Sequence, residues 1–279
     1  MEDPLPDPIL DIRDEESFLV GHAPGAANIP ADQIKERTHE LPPKGSAIRL
    51  FHIDPGRLAK VEQALRQQRY EVRVESLSGA ELTETGPSKG RLWRPSPFLA
   101  EALDQISRER SRPGRALDVA CGAGREAVYL AMQGYQVDAI DVLPDALGKA
   151  EDLARRNGAQ VHTIQQDLKR QPSLPVSAYD LVVVFRFFHR PLLPAIAWSV
   201  APGGFLVYET FHRQDRIGGG EGRGRRRGTG DPPAHAALDG ELAAAFGELE
   251  PVLSHDGVER DGRRFSQFLG RLAATRARG

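Results

Sequence analysis

Two glycines and an aspartate stand near the ends of predicted strands in the second half of this 279-residue chain. Gly122 and Gly124 follow the apolar run at residues 116–120, and residues without a Cβ let the backbone turn sharply and let a ligand lie against it. Asp141 stands seventeen residues beyond Gly124, at the end of the next predicted strand. A carboxylate there can accept hydrogen bonds from both hydroxyls of a ribose, so the spacing favours a nucleoside site.

Asp167 and Leu168 follow the third predicted strand. An acidic side chain there can accept a hydrogen bond from an adenine amino group, and Leu168 can pack on the ring. A dinucleotide site is the weaker alternative, because it needs a third glycine near Glu126 and because Glu126 would repel a pyrophosphate. A purely structural role is also weaker, since three acidic residues at strand ends share one glycine loop.

Alternating strands and helices must position these residues. The polar, breaker-rich stretch at residues 83–97 is typical of a linker between two domains. After it we predict helices over 97–110, 125–133, 144–157, 192–200 and 239–246, and strands over 116–120, 136–140, 160–165, 181–185, 205–209, 250–258 and 267–272. Repeated strand–helix units with short apolar strands predict a doubly wound α/β sheet.

The chain before the linker shows the same alternation on a smaller scale. Strands are predicted over 9–12, 48–51 and 71–74, with a helix over 58–68 whose apolar residues line one face. We therefore predict a small parallel α/β sheet.

Residues 92–272 resemble class I S-adenosylmethionine-dependent methyltransferases. The glycine-loop motif is at residues 117–124, the ribose acid is Asp141, the adenine-side acid is Asp167, and residues 201–206 match the turn into the fifth strand. The resemblance implies a Rossmann-like sheet of seven strands, the last antiparallel, and S-adenosyl-L-methionine as cofactor. The cofactor-binding residues that it implies are Asp118, Ala120, Gly122, Gly124, Asp141, Val142, Asp167, Leu168, Phe185 and Trp93. For Trp93, an aromatic side chain that closes the domain edge is the alternative.

The segment after the fourth predicted strand is where a methyl acceptor is expected. Residues 185–193, together with 208–211, resemble the small-molecule branch that includes tellurite-resistance methyltransferases. His189 is a candidate general base, because histidine titrates near neutral pH, and Arg186 or Arg190 could hold an anionic acceptor. A helix start and surface charge are the structural alternatives. Cys121 is interpreted as a small packed residue rather than a nucleophile.

Residues 9–77 resemble the rhodanese domain, mainly through the string Gly-His-Ala-Pro-Gly-Ala-Ala-Asn-Ile-Pro at residues 21–30. Rhodaneses carry a persulfide on a cysteine, but His52 stands at that position here, and Asp54 adds a charge hostile to an anion. We predict an inactive rhodanese-like domain at residues 1–82, a linker at 83–97 and a methyltransferase domain at 98–275.

Composition limits the possible partners. The net charge of −2 gives no general reason to bind nucleic acid or membrane, no stretch has the apolar length of a membrane span, and the single cysteine suits a reducing compartment. We expect a soluble, cytoplasmic protein and assign no metal site. An Arg/Gly-rich run at residues 213–230 predicts a mobile loop and leaves RNA contact open.

These observations favour an enzyme that methylates a small molecule such as a thiol or a metalloid oxyanion. Two alternatives stay open. One is an RNA or protein methyltransferase that uses the Arg/Gly-rich run, and the other is a binding protein without catalytic activity.

Overall fold

The computed structural model describes residues 7–51, 55–75, 81–110, 112–213, 236–260 and 262–274. Residues 214–230 of the predicted loop at 213–230, and the predicted rhodanese-loop residues His52 and Asp54, lie outside the described residues. The chain divides into two compact units, Met1–Arg94 and Pro95–Gly279.

The first unit is a parallel sheet of four strands with its helices. In chain order the elements are β1 (Ile9–Asp11), α1 (Glu15–Val20), β2 (Ala27–Asn28), a 3-10 helix (Thr38–Glu40), β3 (Ala47–Phe51), α2 (Pro55–Gln67) and β4 (Glu71–Glu75). The strand order in the sheet is β2-β1-β3-β4, and apolar side chains from β1, β3 and β4 contribute to its core. The sequence analysis did not predict α1 or β2, which are too short for a clear periodicity.

A buried ion pair fixes the end of β1. The Arg13 guanidinium donates to Asp11 Oδ2 at 2.6 Å and to the carbonyl of Gly21 at 2.7 Å, and it lies over the Phe51 ring. Because both charged partners are almost fully buried, removal of either one would leave an unpaired charge in the core. The Arg13 side chain therefore links the end of β1 to Gly21, the residue after Val20.

The second unit contains a seven-stranded sheet. Its elements are α3 (Pro97–Glu109), β5 (Arg115–Val119), α4 (Arg125–Met132), β6 (Gln136–Asp141), α5 (Pro144–Arg156), β7 (Val161–Gln165), β8 (Tyr179–Phe185), a 3-10 helix (Arg190–Leu192), α6 (Leu193–Ser199), β9 (Val200–Phe211), α7 (Glu241–Ala245), β10 (Glu250–Arg260) and β11 (Arg263–Arg271). The strand order is β10-β11-β9-β8-β5-β6-β7. β11 runs antiparallel to both of its neighbours, and the strands β9, β8, β5, β6 and β7 run parallel to one another. The α/β class and the seven-stranded Rossmann-like sheet of the prediction are confirmed.

The largest departure from the predicted elements is the length of β9. The prediction placed this strand at residues 205–209, whereas β9 begins at Val200, where the predicted helix ended, and its pairing with β11 continues to Phe211, opposite Phe265. Beyond the strand, the backbone N–H of Arg213 donates to Ala237 and the N–H of Ala237 donates to Phe211. These hydrogen bonds join the two ends of the segment that spans residues 214–235.

Apolar side chains cover both faces of this sheet. One cluster includes Leu117, Val182 and Tyr208 with α6, and the other includes Ala116, Val183 and Val207 with α3 and α4. Adjacent strand residues therefore point to opposite faces, as the pleat requires. Among the described residues, no helix has the length and apolar character that a membrane crossing requires.

Candidate active site

The loop between β5 and α4 has three residues in left-handed conformation. The φ angles are 58° at Ala120, 56° at Gly122 and 74° at Gly124. A Cβ on Gly124 would lie 2.5 Å from the Cβ of Ala150 in α5, whereas a Cβ on Gly122 would meet nothing within 4 Å. Gly124 is therefore required by packing, and Gly122 leaves open space beside the backbone.

Asp141 holds this loop from the neighbouring strand. The backbone N–H of Gly122 donates to Asp141 Oδ2 at 2.8 Å, and the N–H of Leu143 donates to Oδ1 at 2.9 Å. Both bonds to a carboxylate are charge-assisted, so they fix its orientation at the carboxyl end of β6. The structure thus brings together the glycine loop and the predicted ribose acid.

Val142 and Leu143 form an exposed apolar pair beside this carboxylate. Their exposed fractions are 46% and 59%. A pair of apolar side chains next to a buried polar group is a surface on which a flat ring can pack. Val142 is in the predicted cofactor set, and Leu143 is an addition that the structure suggests.

Replacement of Val142 by aspartate is expected to weaken binding of the methyl donor with little effect on folding. The new charge would lie on the apolar surface, where an adenine ring would strip its water. Titration calorimetry with S-adenosylmethionine would measure the affinity. Val176→Asp is the matched control, because Val176 is 68% exposed and lies before β8. Equal affinity of the Val142 variant and the wild type would contradict a ring-binding role for this pair.

Asp118 is buried in β5, just before the loop. The residue is only 2% exposed, and one carboxyl oxygen has no hydrogen-bond partner. Burial raises the pKa of Asp118 well above its usual range, and the nearby charge of Glu126 raises it further, while a hydrogen bond from the backbone N–H of Ala127 in α4 lowers it. The cofactor-binding role that the sequence analysis gave Asp118 stays a prediction.

Glu126 lies in the first turn of α4, directly after the glycine loop. The sequence analysis used this residue only as an argument against pyrophosphate binding. Its carboxylate accepts a hydrogen bond of 3.2 Å from the backbone N–H of Ser96. Burial raises the pKa of Glu126, while the positive charges of Arg186 and Arg125 lower it. A half-buried carboxylate therefore lies directly after the glycine loop.

Asp167 and Leu168 follow β7 as predicted, but they differ in exposure. Asp167 Oδ1 accepts hydrogen bonds from the backbone N–H groups of Lys169 and Arg170 at 3.0 and 3.2 Å. Leu168 is 4% exposed and packs in the core, as Phe185 does at the end of β8. The predicted contact of Leu168 with a ligand ring is thus replaced by a core contact, because the turn that Asp167 caps points Leu168 inward.

Arg186 and His189 follow β8 at the same edge of the sheet. Arg186 is exposed and has a φ of 59°, and its backbone N–H donates to the carbonyl of Glu209 at 2.8 Å. A non-glycine residue in left-handed conformation carries strain and often marks a functional position. His189 is half-buried and directly precedes the 3-10 helix.

Arg190, the third predicted acceptor residue, is engaged elsewhere. Its Nε and Nη2 donate to the two carboxylate oxygens of Glu241 in α7 at 2.6 and 2.8 Å. The guanidinium also lies 4.8 Å from the centre of the Phe188 ring. We therefore correct the prediction for Arg190, because a bidentate ion pair between two structural elements occupies the group that would hold an anion.

Replacement of Arg190 by methionine is expected to lower the stability of the second unit by about 1–2 kcal/mol, since a partly exposed pair contributes less than a fully buried one. The donor affinity should stay at the wild-type value. Thermal unfolding and donor calorimetry would test both statements, with Arg155→Met as the control for an exposed pair. A large loss of donor affinity at unchanged stability would argue against a structural role.

Trp93 and Cys121 are two further residues that the sequence analysis considered, and Cys121 lies within the glycine loop itself. Trp93 belongs to the first unit, where it is buried and has the Arg91 guanidinium over its ring, so its role toward a cofactor stays a prediction. Cys121 is buried, and burial raises the pKa of its thiol. This supports a packed residue rather than a nucleophile.

Comparison with known proteins identifies the class of this domain. Residues 116–204 match the family model of a methyltransferase domain. A ubiquinone biosynthesis O-methyltransferase from Xylella fastidiosa is 35% identical over 117 residues, which are 40% of this chain and 48% of the relative. A ribosomal RNA small subunit methyltransferase C from Alcanivorax borkumensis is 32% identical over 130 residues, 43% of this chain and 38% of the relative. The chain thus covers less than half the length of these two relatives.

Two further matches cover a larger part of this chain, one in sequence and one in fold. An uncharacterised protein from Schizosaccharomyces pombe is 23% identical over 257 residues, 72% of this chain and 76% of the relative. The crystal structure of TehB from Haemophilus influenzae superposes with a TM-score of 0.50 at 17% identity and covers 62% of each chain, which is a similarity of fold. The family match and the two methyltransferase relatives establish a methyltransferase domain at the glycine loop and its neighbouring strands.

Proposed function

We propose that this chain transfers a methyl group from S-adenosylmethionine to a small molecule. The acceptor is either a compound with a nucleophilic oxygen or sulfur atom or a metalloid oxyanion. The observation that carries the proposal is the grouping of Gly122, Asp141, Arg186 and His189 at the carboxyl ends of adjacent parallel strands. Ligands of open α/β sheets bind at that edge. The similarity to a ubiquinone biosynthesis O-methyltransferase supports a small acceptor.

The residues around the glycine loop fit the methyl donor. The open space beside Gly122 admits a ligand against the backbone, and the Asp141 carboxylate suits the two hydroxyls of a ribose. Val142 and Leu143 offer an apolar surface for the adenine. We assign the donor to these four residues, with Asp167 on the adenine side.

When bound, S-adenosylmethionine supplies a methyl group on a sulfonium sulfur, which keeps the bonding electron pair as the acceptor's nucleophilic atom takes the methyl carbon. In-line displacement depends mainly on alignment and on exclusion of water. Arg186 would hold an anionic acceptor, since its guanidinium is exposed at the end of β8. His189 would accept the proton from an acceptor that is protonated in solution.

We also propose that the first unit is a rhodanese-like module without sulfurtransferase activity. The parallel sheet and the Asp11–Arg13 pair are compatible with such a module. The absence of cysteine before residue 121 supports the loss of persulfide chemistry, because imidazole at position 52 cannot carry the sulfur.

A screen with methyl-labelled donor tests the proposed reaction. The full chain would be incubated with thiols, selenite and tellurite, catechols, amines and bulk RNA, and the label would be followed into each acceptor class. We expect label in a thiol, an oxyanion or a catechol, and less label in Asp141→Ala when the donor concentration is below saturation. Arg186→Ala should then raise the KM of an anionic acceptor more than that of a neutral one. Label in RNA with none in any small molecule would overturn the proposal.

A further inference from the structure

Glu209 lies inside the second unit near the carboxyl end of β9 and binds groups from three separate elements. The residue is 1% exposed. Its Oε1 accepts a hydrogen bond from the Ser96 hydroxyl at 3.1 Å, and its Oε2 accepts one from Gln267 Nε2 at 2.7 Å. The Arg260 guanidinium forms an ion pair with the same Oε2. The proposed methyl-transfer reaction gives this buried charge no role.

Ser96 is the link between Glu209 and the glycine loop. The Ser96 hydroxyl donates to Glu209, and it accepts from Arg260 Nη1 at 3.2 Å and from the backbone N–H of Phe98 at 3.3 Å. The hydroxyl thereby uses its donor and both acceptor sites. Ser96 is fixed at the start of α3, and its backbone N–H donates to the carboxylate of Glu126.

The backbone of Glu209 contacts the other side of the site. Its carbonyl accepts the N–H of Arg186, the strained residue at the end of β8. Glu209 is therefore joined to the first turn of α4 through Ser96, and it is joined directly to Arg186 at the end of β8. In a buried network every polar partner is satisfied only in one arrangement, so loss of one member shifts the others.

We propose that Glu209 is a positioning residue for the methyl-donor site and acts through Ser96 on the carboxylate of Glu126. The side chain of Glu209 holds Ser96 against Glu126, and this contact keeps α4 and the preceding glycine loop in the geometry that receives the donor. The inference concerns the donor site alone and is independent of which acceptor the enzyme uses.

Donor calorimetry with a double-mutant cycle tests this role. Glu209→Ala and Ser96→Ala should each weaken binding of S-adenosylmethionine about 10-fold, and the double variant should be weaker by about the same factor rather than by its square, because both act through one path. Glu209→Gln retains an acceptor oxygen for the Ser96 hydroxyl and should restore most of the affinity. It also serves as the variant to use if Glu209→Ala does not fold.

Asp180→Asn is the matched control. Asp180 accepts from Arg110 Nη2 at 2.6 Å and from the backbone N–H of Arg115 at 2.8 Å, but it lies near the amino end of β8, opposite the site. This variant should lose stability and keep its donor affinity. Additive effects of the Glu209 and Ser96 variants, or an equal loss of affinity in Asp180→Asn, would overturn the positioning role.

Amide hydrogen exchange on the donor-free protein separates this inference from the donor function itself. Glu209→Ala should speed exchange in peptides that cover residues 122–130, whereas Asp180→Asn should leave those peptides unchanged. If the wild type bound no S-adenosylmethionine, the methyl-transfer function would fail while exchange still tested the link through Ser96. Unchanged exchange at residues 122–130 in Glu209→Ala would disprove that link.

Discussion

Gly124→Ala is expected to destabilise the second unit by about 2–5 kcal/mol, the combined cost of a left-handed alanine and of an overpacked contact. The new Cβ would lie 2.5 Å from the Cβ of Ala150, a distance that real Cβ atoms do not reach, so α4 and α5 would have to separate. Gly122→Ala should cost only about 1–2 kcal/mol, because its backbone is strained but its Cβ has room.

The donor affinity should distinguish the two glycines in a different way. The Cβ of Gly122→Ala would project into the space that we assign to the donor, and we expect a loss of affinity larger than the loss of stability. Gly148→Ala in α5 is the control, since nothing lies within 4 Å of its Cβ and its φ is ordinary. That variant should be stabilised by up to about 1 kcal/mol through helix propensity.

Unfolding of the second unit can be followed separately, because the chain has two tryptophans, one in each unit. In a Trp93→Phe background, the fluorescence of Trp198 in α6 reports on the second unit alone. If Gly124→Ala unfolded at the same urea concentration as the parent, this would contradict the inference that α4 packs too closely on α5 to admit a Cβ at position 124.

Asp141→Ala is expected to weaken donor binding by about 1–3 kcal/mol, which is about 5–150-fold, because charged hydrogen bonds to the ribose would be lost. The variant would also release the N–H groups of Gly122 and Leu143, so part of the loss would come from a less ordered loop. Asp141→Asn keeps one acceptor oxygen and should fall between the alanine variant and the wild type.

Asp145→Ala provides the control for charge. Asp145 is exposed in the first turn of α5, close to Asp141 in the chain, and its removal changes the net charge by the same amount. Calorimetry should show nearly the wild-type affinity for this variant. Equal losses of affinity in the two alanine variants would mean that the removal of a negative charge, and not the loss of a hydrogen bond to the ligand, explains the effect.

Much of the second unit could be predicted from short apolar runs and breakers. Strands β5, β6 and β7 begin and end within two residues of the prediction, because each is a single run between turn residues. The end of β9 could not be predicted, since residues 210 and 211 are strand only because β11 pairs with them. Such pairing depends on residues more than fifty positions later in the chain.

The contacts at the site also divide into those that could be predicted from the sequence and those that could not. The closeness of Gly122 to Asp141 follows from adjacent parallel strands and could be expected from sequence. The pairing of Arg190 with Glu241 and the bond between Ser96 and Glu209 join residues that are 51 and 113 positions apart. No local pattern encodes such contacts, so the sequence analysis gave Arg190 a substrate role and omitted Ser96 altogether.

The hydrogen bonds among Phe211, Arg213 and Ala237 bear on how this enzyme could diversify. These bonds are made by backbone groups alone, which every residue type except proline supplies in full. The side chains at residues 211, 213 and 237 can therefore change in evolution while the end of β9 keeps its hydrogen bonds.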